Sequence, residues 1–187
     1  MIKKLASVFA LFFLATAVSV SAQTRTVSGF VEGQAETVRG VTTKTIDVLV
    51  VVPVTEKVSM TIWTLNSESW GEAQVGLSKK FTPWLSLSAS AGIENAERPW
   101  RIGTSAWVGK GRVSTLFLYE RGGSGWWYRS ISKAKVGKNL SVGVHSKRRF
   151  GTGPYVEYGV GKVTLWSAPV SFGTGGVKTL SGLRVAF

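Results

Sequence analysis

The sequence contains no cysteine and a single histidine, His145, among its 187 residues. Disulfide bonds, lipid attachment to a cysteine and thiol chemistry are therefore excluded. A zinc site is not expected either, because such sites need several His or Cys ligands. We accordingly expect neither a cofactor nor a bound metal.

After residue 23 the sequence also lacks any segment of helical length with apolar residues at a spacing of 3.6. Apolar residues instead alternate with small or polar residues at period two, as in segments 74–78, 85–93 and 140–145. This alternation predicts an all-β protein. A soluble β-sandwich buries the apolar face, whereas a transmembrane β-barrel turns it toward lipid, so alternation alone does not separate the two.

The only long apolar run, from Leu5 to Val20, follows Lys3 and Lys4 and precedes Ser21 and Ala22. It is shorter than the ~20 apolar residues that a spanning helix needs. The run therefore predicts a signal peptide over residues 1–22, cleaved after Ala22. Residues 23–187 then form a single exported domain.

Acidic residues are scarce in the second half of the chain. Residues 98–187 contain 15 basic and 2 acidic residues, whereas residues 23–97 contain 6 and 8. A basic half is typical of proteins that meet nucleic acid, lipopolysaccharide phosphates or anionic solutes. Export, and the lack of a helix-turn-helix, zinc or RNA-binding motif, argue against nucleic acid.

Turn motifs recur at a regular interval. Val-Gly-Lys occurs at 108–110, 136–138 and 160–162, and further breaks lie at 53–56 and 79–83. Breaks at spacings of ~23–30 residues match pairs of ~10-residue strands and predict six hairpins, or twelve strands. The predicted strands are 25–33, 44–52, 57–66, 70–79, 84–94, 100–109, 112–121, 126–136, 140–148, 154–160, 163–168 and 177–187. Merging segments within 24–52 and 154–168 would give ten strands, and eight is a further alternative.

Two further features favour a membrane barrel over a sandwich. The breaks that lie between these turns are at 34–43, 67–69, 95–99, 122–125, 149–153 and 169–176. Most of them are longer than the turns, which is typical of extracellular loops opposite short periplasmic turns. The eight tryptophans lie near predicted strand ends, which predicts two aromatic girdles at the membrane interfaces. The fold class predicted is therefore a closed antiparallel transmembrane β-barrel.

The C-terminal segment 179–187 alternates in the same way and carries Gly182, Val185 and Phe187. It resembles the closing strand of bacterial outer-membrane β-barrel proteins, although Leu180 stands where that family usually has a polar residue. The resemblance implies a location in the outer membrane of a Gram-negative bacterium and contact with its lipids and lipopolysaccharide. It also implies that the outer-membrane insertion machinery reads Gly182, Val185 and Phe187 as a membrane-insertion signal.

If the apolar side chains of the strands face lipid, the charged side chains that face the lumen are mostly basic. We predict these pore-lining residues to be Arg101, Arg129, Lys133, Lys135, His145, Lys147, Glu157, Lys178 and Arg184. Rings of Lys and Arg attract anions, which predicts a passive channel favouring small anionic solutes. Small porins for acidic oligosaccharides are similar in size, twelve-strand architecture and basic lumen.

Two alternatives to the channel remain. If the basic residues pair with Glu72, Glu120 and Glu157, the lumen is plugged and the barrel has a structural or adhesive role. The other alternative is a soluble, exported β-sandwich that acts as a binding module.

We expect no enzymatic activity. Lipid A deacylases carry Ser two residues after His on a barrel strand, so that both side chains share a face. Here Ser146 directly follows His145 and points to the opposite face, and Ser141 lies ~13 Å along the strand. The omptin-type proteases need several acidic residues beside a His, and the basic half has only Glu120 and Glu157.

Overall fold

The structure, a computed structural model, describes residues 26–170 and 178–187. The predicted signal peptide, residues 1–22, lies outside these residues. None of the described residues forms a helix long and apolar enough to cross a membrane. The strands are β1 (Ser28–Val38), β2 (Val41–Pro53), β3 (Val58–Ser67), β4 (Gly71–Thr82), β5 (Leu85–Glu94), β6 (Trp100–Lys110), β7 (Val113–Gly122), β8 (Gly125–Lys135), β9 (Leu140–Lys147), β10 (Gly151–Val160), β11 (Val163–Val170) and β12 (Lys178–Ala186).

The twelve strands form one closed antiparallel barrel. Each strand pairs with its neighbours in the sequence, and β12 pairs with β1 to close the sheet. At this seam Gly29 donates to the carbonyl of Phe187 at 3.2 Å, and Phe187 donates back to Gly29 at 3.1 Å. The predicted fold class and strand number are confirmed, and the ten-strand, eight-strand and β-sandwich alternatives are excluded.

The strand connections lie at two ends of the barrel. The terminal end carries Ser28 and Phe187 together with turns 54–57, 83–84, 111–112, 136–139 and 161–162. The distal end carries connections 39–40, 68–70, 95–99, 123–124 and 148–150. Both sets are two to five residues long, so the predicted difference in loop length is wrong for the described connections. The predicted break at 169–176 falls mostly outside the described residues.

The largest error is the predicted loop 34–43. β1 continues to Val38 and β2 begins at Val41, which leaves a two-residue turn at Arg39 and Gly40. Both turn residues have positive φ, 51° and 80°, as tight hairpin turns of the primed types require. Residues 154–168, by contrast, form two strands separated by the turn at 161–162.

The outward face of the barrel is apolar. Leu77 is 59% exposed, Leu87 41% and Val142 37%, although each lies within a strand. Apolar side chains covering the outside of a closed barrel are typical of a sheet that faces lipid. The prediction that apolar side chains point away from the barrel axis is therefore confirmed.

The core lies inside the barrel and is small. It consists of Ile131, Tyr155, Trp166, Ala168, Val170 and Leu180, on β8 and β10–β12. Trp166 is 4% exposed, and Trp107 lines an interior cavity. Trp70 lies under the buried Arg101, and Trp127 lies opposite the buried Glu120, so the predicted girdles are wrong for these four residues. Trp84, Trp100 and Trp126 are exposed, as girdle residues would be.

Candidate functional site in the barrel interior

Alternation in the strands carries charged residues into the barrel. On β1, Glu32 is fully buried and Gln34 is 7% exposed, whereas Val31, between the inward positions of the strand, is 43% exposed. A buried carboxylate is costly unless it is paired and hydrogen-bonded. The interior must therefore supply partners, and it does so in two clusters.

The Arg101 cluster comprises Arg101 with Glu72, Glu94 and Glu120, near the distal end of β4–β7. Arg101 donates to Glu94 at 2.5 Å and to Glu120 at 2.6 Å, and it also forms an ion pair with Glu72. Gln74 donates to Glu120 at 2.9 Å. All four charged side chains are at most 4% exposed, so one guanidinium pairs with three buried carboxylates.

The Arg129 cluster comprises Arg129, His145, Glu32 and Arg184. Arg129 on β8 donates through Nε to Nε2 of His145 at 3.1 Å, and its Nη2 lies 3.7 Å from Oε1 of Glu32 on β1. Arg184 on β12 approaches the other oxygen of Glu32 at 2.5 Å. β1 and β8 are separated by four strands on one side and six on the other, so this contact spans the lumen.

Two aromatic rings, those of Tyr155 and Trp166, pack against His145 of the Arg129 cluster. The His145 ring centroid lies 6.2 Å from that of Tyr155 and 6.0 Å from that of Trp166, with interplanar angles of 21° and 18°. Because an arginine can only donate, Nε2 of His145 accepts and the ring proton sits on Nδ1. His145 is therefore a neutral packing partner here, and not a base directed at a nucleophile.

A second contact crosses the lumen nearer the distal end. Lys147 on β9 forms an ion pair with Glu36 on β1. Gln34, the next inward residue of β1 toward the terminal end, donates to both Glu32 and Asp47 at 2.8 Å. The distal half of the interior is therefore filled by paired charges and rings.

The terminal half of the interior is open and basic. A cavity of about 680 Å³ lies there, and we call it the basic cavity. Within it Lys133 donates to both oxygens of Glu157, at 2.5 and 2.8 Å, and Tyr155 donates to Glu157 at 2.7 Å. Its basic lining residues are Lys110, Arg112, Lys133, Lys135 and Lys138.

The structure separates the predicted pore-lining residues into groups. Arg101 belongs to the Arg101 cluster; Arg129, His145 and Arg184 belong to the Arg129 cluster, and Lys147 pairs with Glu36. Lys133, Lys135 and Glu157 line the basic cavity. Lys178 lies at the distal end and donates to the carbonyl of Arg149 at 2.6 Å. That these residues line a conducting path stays a prediction.

The predicted inward set was incomplete because it omitted most of the acidic partners. Glu32, Asp47 and Glu94 are at most 4% exposed inside the barrel, and Glu36 pairs with Lys147. The pairing of basic residues with Glu72 and Glu120, which the plugged alternative assumed, is present at Arg101. The period-two spacing of Glu32, Gln34 and Glu36 was the available signal for the missed β1 residues.

The C-terminal strand offers a packing reason for one residue of the proposed insertion signal. A methyl group added at Gly182 would lie 2.5 Å from Nε1 and 2.6–2.7 Å from ring carbons of Trp166. Gly182 therefore makes room for the buried indole. The recognition of Gly182, Val185 and Phe187 by insertion machinery stays a prediction.

Among residues 26–170 and 178–187, no group of three or more His, Cys, Asp or Glu side chains is placed to hold a metal ion. The described interior side chains provide fixed charges, charge-assisted hydrogen bonds and the lining of the basic cavity.

Comparison with known proteins gives matches by structure alone. No protein-family model and no curated protein matches the chain. KdgM porin is similar in fold, with a TM-score of 0.56 at 11% identity over 84% of this chain and 98% of that one. KdgM porin in complex with disordered oligogalacturonate has a TM-score of 0.54 at 12% identity, with the same coverage of both chains. NanC porin has a TM-score of 0.52 at 9% identity, over 85% of this chain and 98% of that one.

These identities are too low to carry function, so the likeness concerns the fold. The strand count, the closure between β1 and β12 and the outward apolar face agree with it. The chain therefore has the fold of a small porin-like outer-membrane β-barrel.

Proposed function

We propose that the chain is an outer-membrane β-barrel that forms a narrow passive channel favouring small anionic solutes. The observation that carries the proposal is the basic cavity, a chamber of about 680 Å³ with five Lys and Arg side chains in its wall. One of these, Lys133, is neutralised by Glu157, which leaves a net positive lining. This proposal takes the terminal end, where Ser28 and Phe187 lie, as the periplasmic end.

The mechanism is electrostatic. Unpaired basic side chains raise the local concentration of anions and lower the barrier to their entry, whereas they repel cations. Beyond the cavity a solute meets the Arg129 cluster, where Arg129 and Arg184 are held by Glu32. These paired side chains narrow the path and add one net positive charge, fewer than the four of the basic cavity. We therefore expect small currents, with selectivity set mainly in the basic cavity.

Planar-bilayer recording with a salt gradient tests this proposal. The reversal potential of the natural protein should indicate anion preference. Changing Lys135 and Lys138 to Glu should weaken or reverse it, because both line the basic cavity. Lys133 is left in place, because a carboxylate there would face Glu157.

The matched control is Lys57→Glu, an identical charge change in a turn at the same end. It should leave the reversal potential nearly unchanged, since Lys57 is not among the residues that line the basic cavity. Cation preference of the natural protein would refute the proposal. Equal shifts in the control and in the cavity variant would refute the assignment of selectivity to the basic cavity.

A second candidate is a non-conducting barrel with a structural role. It is favoured by the two ion pairs that span the lumen, Glu32 with Arg129 and Glu36 with Lys147. Under this candidate the natural protein passes no current at any voltage. The same recordings therefore separate the two candidates.

A further inference from the structure

The outer surface of β7–β10 near the distal end is unlike the rest of the apolar exterior. The outward residues of β8 are Trp126, Tyr128, Ser130, Ser132 and Ala134, so this strand presents no aliphatic side chain larger than alanine to its surroundings. On β5 the corresponding outward residues include Leu87 and Ile93, 41% and 52% exposed. Ser132 bonds to Thr115 of β7 at 3.0 Å, which leaves the distal part of the strand as the polar surface of interest. Hydroxyl groups facing hydrocarbon lose hydrogen bonds to water, so a polar exterior surface there indicates a polar neighbour.

Arginine, aromatic and hydroxyl groups converge on this surface. The guanidinium carbon of Arg148 lies 3.8 Å from the ring centroid of Trp126, and Arg148 also donates to the Trp126 carbonyl. Trp126 stacks on Tyr128 with centroids 6.0 Å apart and planes inclined by 12°. Arg121, which is exposed, lies directly opposite Trp126 across the β7–β8 pair. The Arg148 guanidinium is therefore fixed against Trp126, and Arg121 occupies the position opposite Trp126 on β7.

A chain of hydroxyl groups continues from the arginines toward the middle of the barrel wall. The Tyr128 hydroxyl lies 3.3 Å from that of Ser146, which lies 2.7 Å from that of Thr152. The backbone N–H of Arg148 bonds to the carbonyl of Tyr128 at 3.1 Å, which fixes Arg148 beside the first hydroxyl of the chain. We call this set the Arg148 patch: Arg121, Trp126, Tyr128, Ser146, Arg148 and Thr152.

We propose that the Arg148 patch binds a phosphorylated glycolipid of the outer leaflet. Guanidinium groups bind phosphate through paired, charge-assisted hydrogen bonds, and a stacked arginine is already ordered for that contact. The hydroxyl chain below offers donors and acceptors to the hydroxyls of a sugar ring. A phospholipid headgroup supplies the phosphate but not the sugar hydroxyls. The inference rests on the outer-membrane location proposed above, with the distal end outward.

The test measures lipid binding by native mass spectrometry of the purified barrel in detergent. The probes are bisphosphorylated lipid A, its dephosphorylated form and phosphatidylglycerol. Arg148→Gln and Arg121→Gln should each lower the affinity for lipid A roughly ten-fold or more, since each removes a charge-assisted contact. The matched control is Lys44→Gln, which removes an exposed charge from the distal part of β2 and should leave the affinity unchanged.

A double variant, Tyr128→Phe with Ser146→Ala, addresses the hydroxyl chain. It should reduce the preference for lipid A over phosphatidylglycerol and leave phosphatidylglycerol binding unchanged. Heat-modifiable migration on gels establishes that every variant is folded before its affinity is compared. If an arginine variant does not fold, the lipid preference of the Tyr128→Phe, Ser146→Ala double variant tests the proposal instead.

Three results would overturn the proposal: full affinity in both arginine variants, an equal loss in Lys44→Gln, or equal binding of phosphatidylglycerol and lipid A. The binding measurement does not depend on conduction. A silent barrel that binds lipid A would refute only the channel, and a conducting barrel that does not bind it would refute only the Arg148 patch.

Discussion

Replacing Arg101 by glutamine should destabilise the barrel strongly. Arg101 and its three carboxylate partners are at most 4% exposed, so the variant leaves three buried carboxylates without the guanidinium that pairs with them. Removing one partner of a buried ion pair costs about 3–5 kcal/mol. We expect a loss of this size in the free energy of unfolding, measured by urea unfolding in lipid vesicles with gel migration and tryptophan fluorescence.

A second substitution tests the origin of that loss. Adding Glu120→Gln to the Arg101 variant removes one of the uncompensated charges and should recover part of the stability. The two effects should depart from additivity by about 0.5–3 kcal/mol, as is typical for residues in one network. Lys110→Gln, an exposed change at the terminal end, serves as control and should have little effect. Wild-type stability of the Arg101 variant, or simple additivity in the double variant, would refute the argument.

Three other changes probe the interior and the closing strand. Gly182→Ala should lower the free energy of unfolding by about 1–3 kcal/mol, since its methyl group meets the Trp166 ring, and Trp166→Leu should relieve part of this loss. Glu36→Gln combined with Lys147→Gln removes a cross-lumen ion pair and should raise unitary conductance in planar bilayers; an unchanged conductance contradicts a barrier there. Phe187→Ala should slow assembly into outer-membrane vesicles, and unaltered kinetics would argue against an insertion signal.

The strands were predictable because their signal is local. Alternation along 85–93 specifies which side chains share a face, and the Val-Gly-Lys turns mark where strands end. The turn at Arg39 and Gly40 was missed because the polar residues around it are typical of a loop. In the structure Glu36 instead faces inward to Lys147, and Thr37 and Thr42 bond to each other across the hairpin at 2.9 Å.

The partners of the interior charges were not predictable in the same way. Alternation places Glu32 and Arg129 on the inward face, but their contact depends on which strands lie opposite each other in the closed barrel. The excess of acidic residues in the first half and of basic residues in the second becomes intelligible only after closure. In the closed barrel Glu32 and Glu36 of the first half pair with Arg129 and Lys147 of the second half across the lumen.

The contact between Glu32 and Arg184 joins residues 152 positions apart, directly across the seam between the first and last strands. Backbone pairing alone would tolerate a slip of two residues, because the same side chains would still face inward. Such a slip would set Arg184 opposite Phe30 or Gln34 and remove it from its position directly opposite Glu32. The ion pair between Glu32 and Arg184 thus favours the correct alignment of β1 and β12 over alignments shifted by two residues.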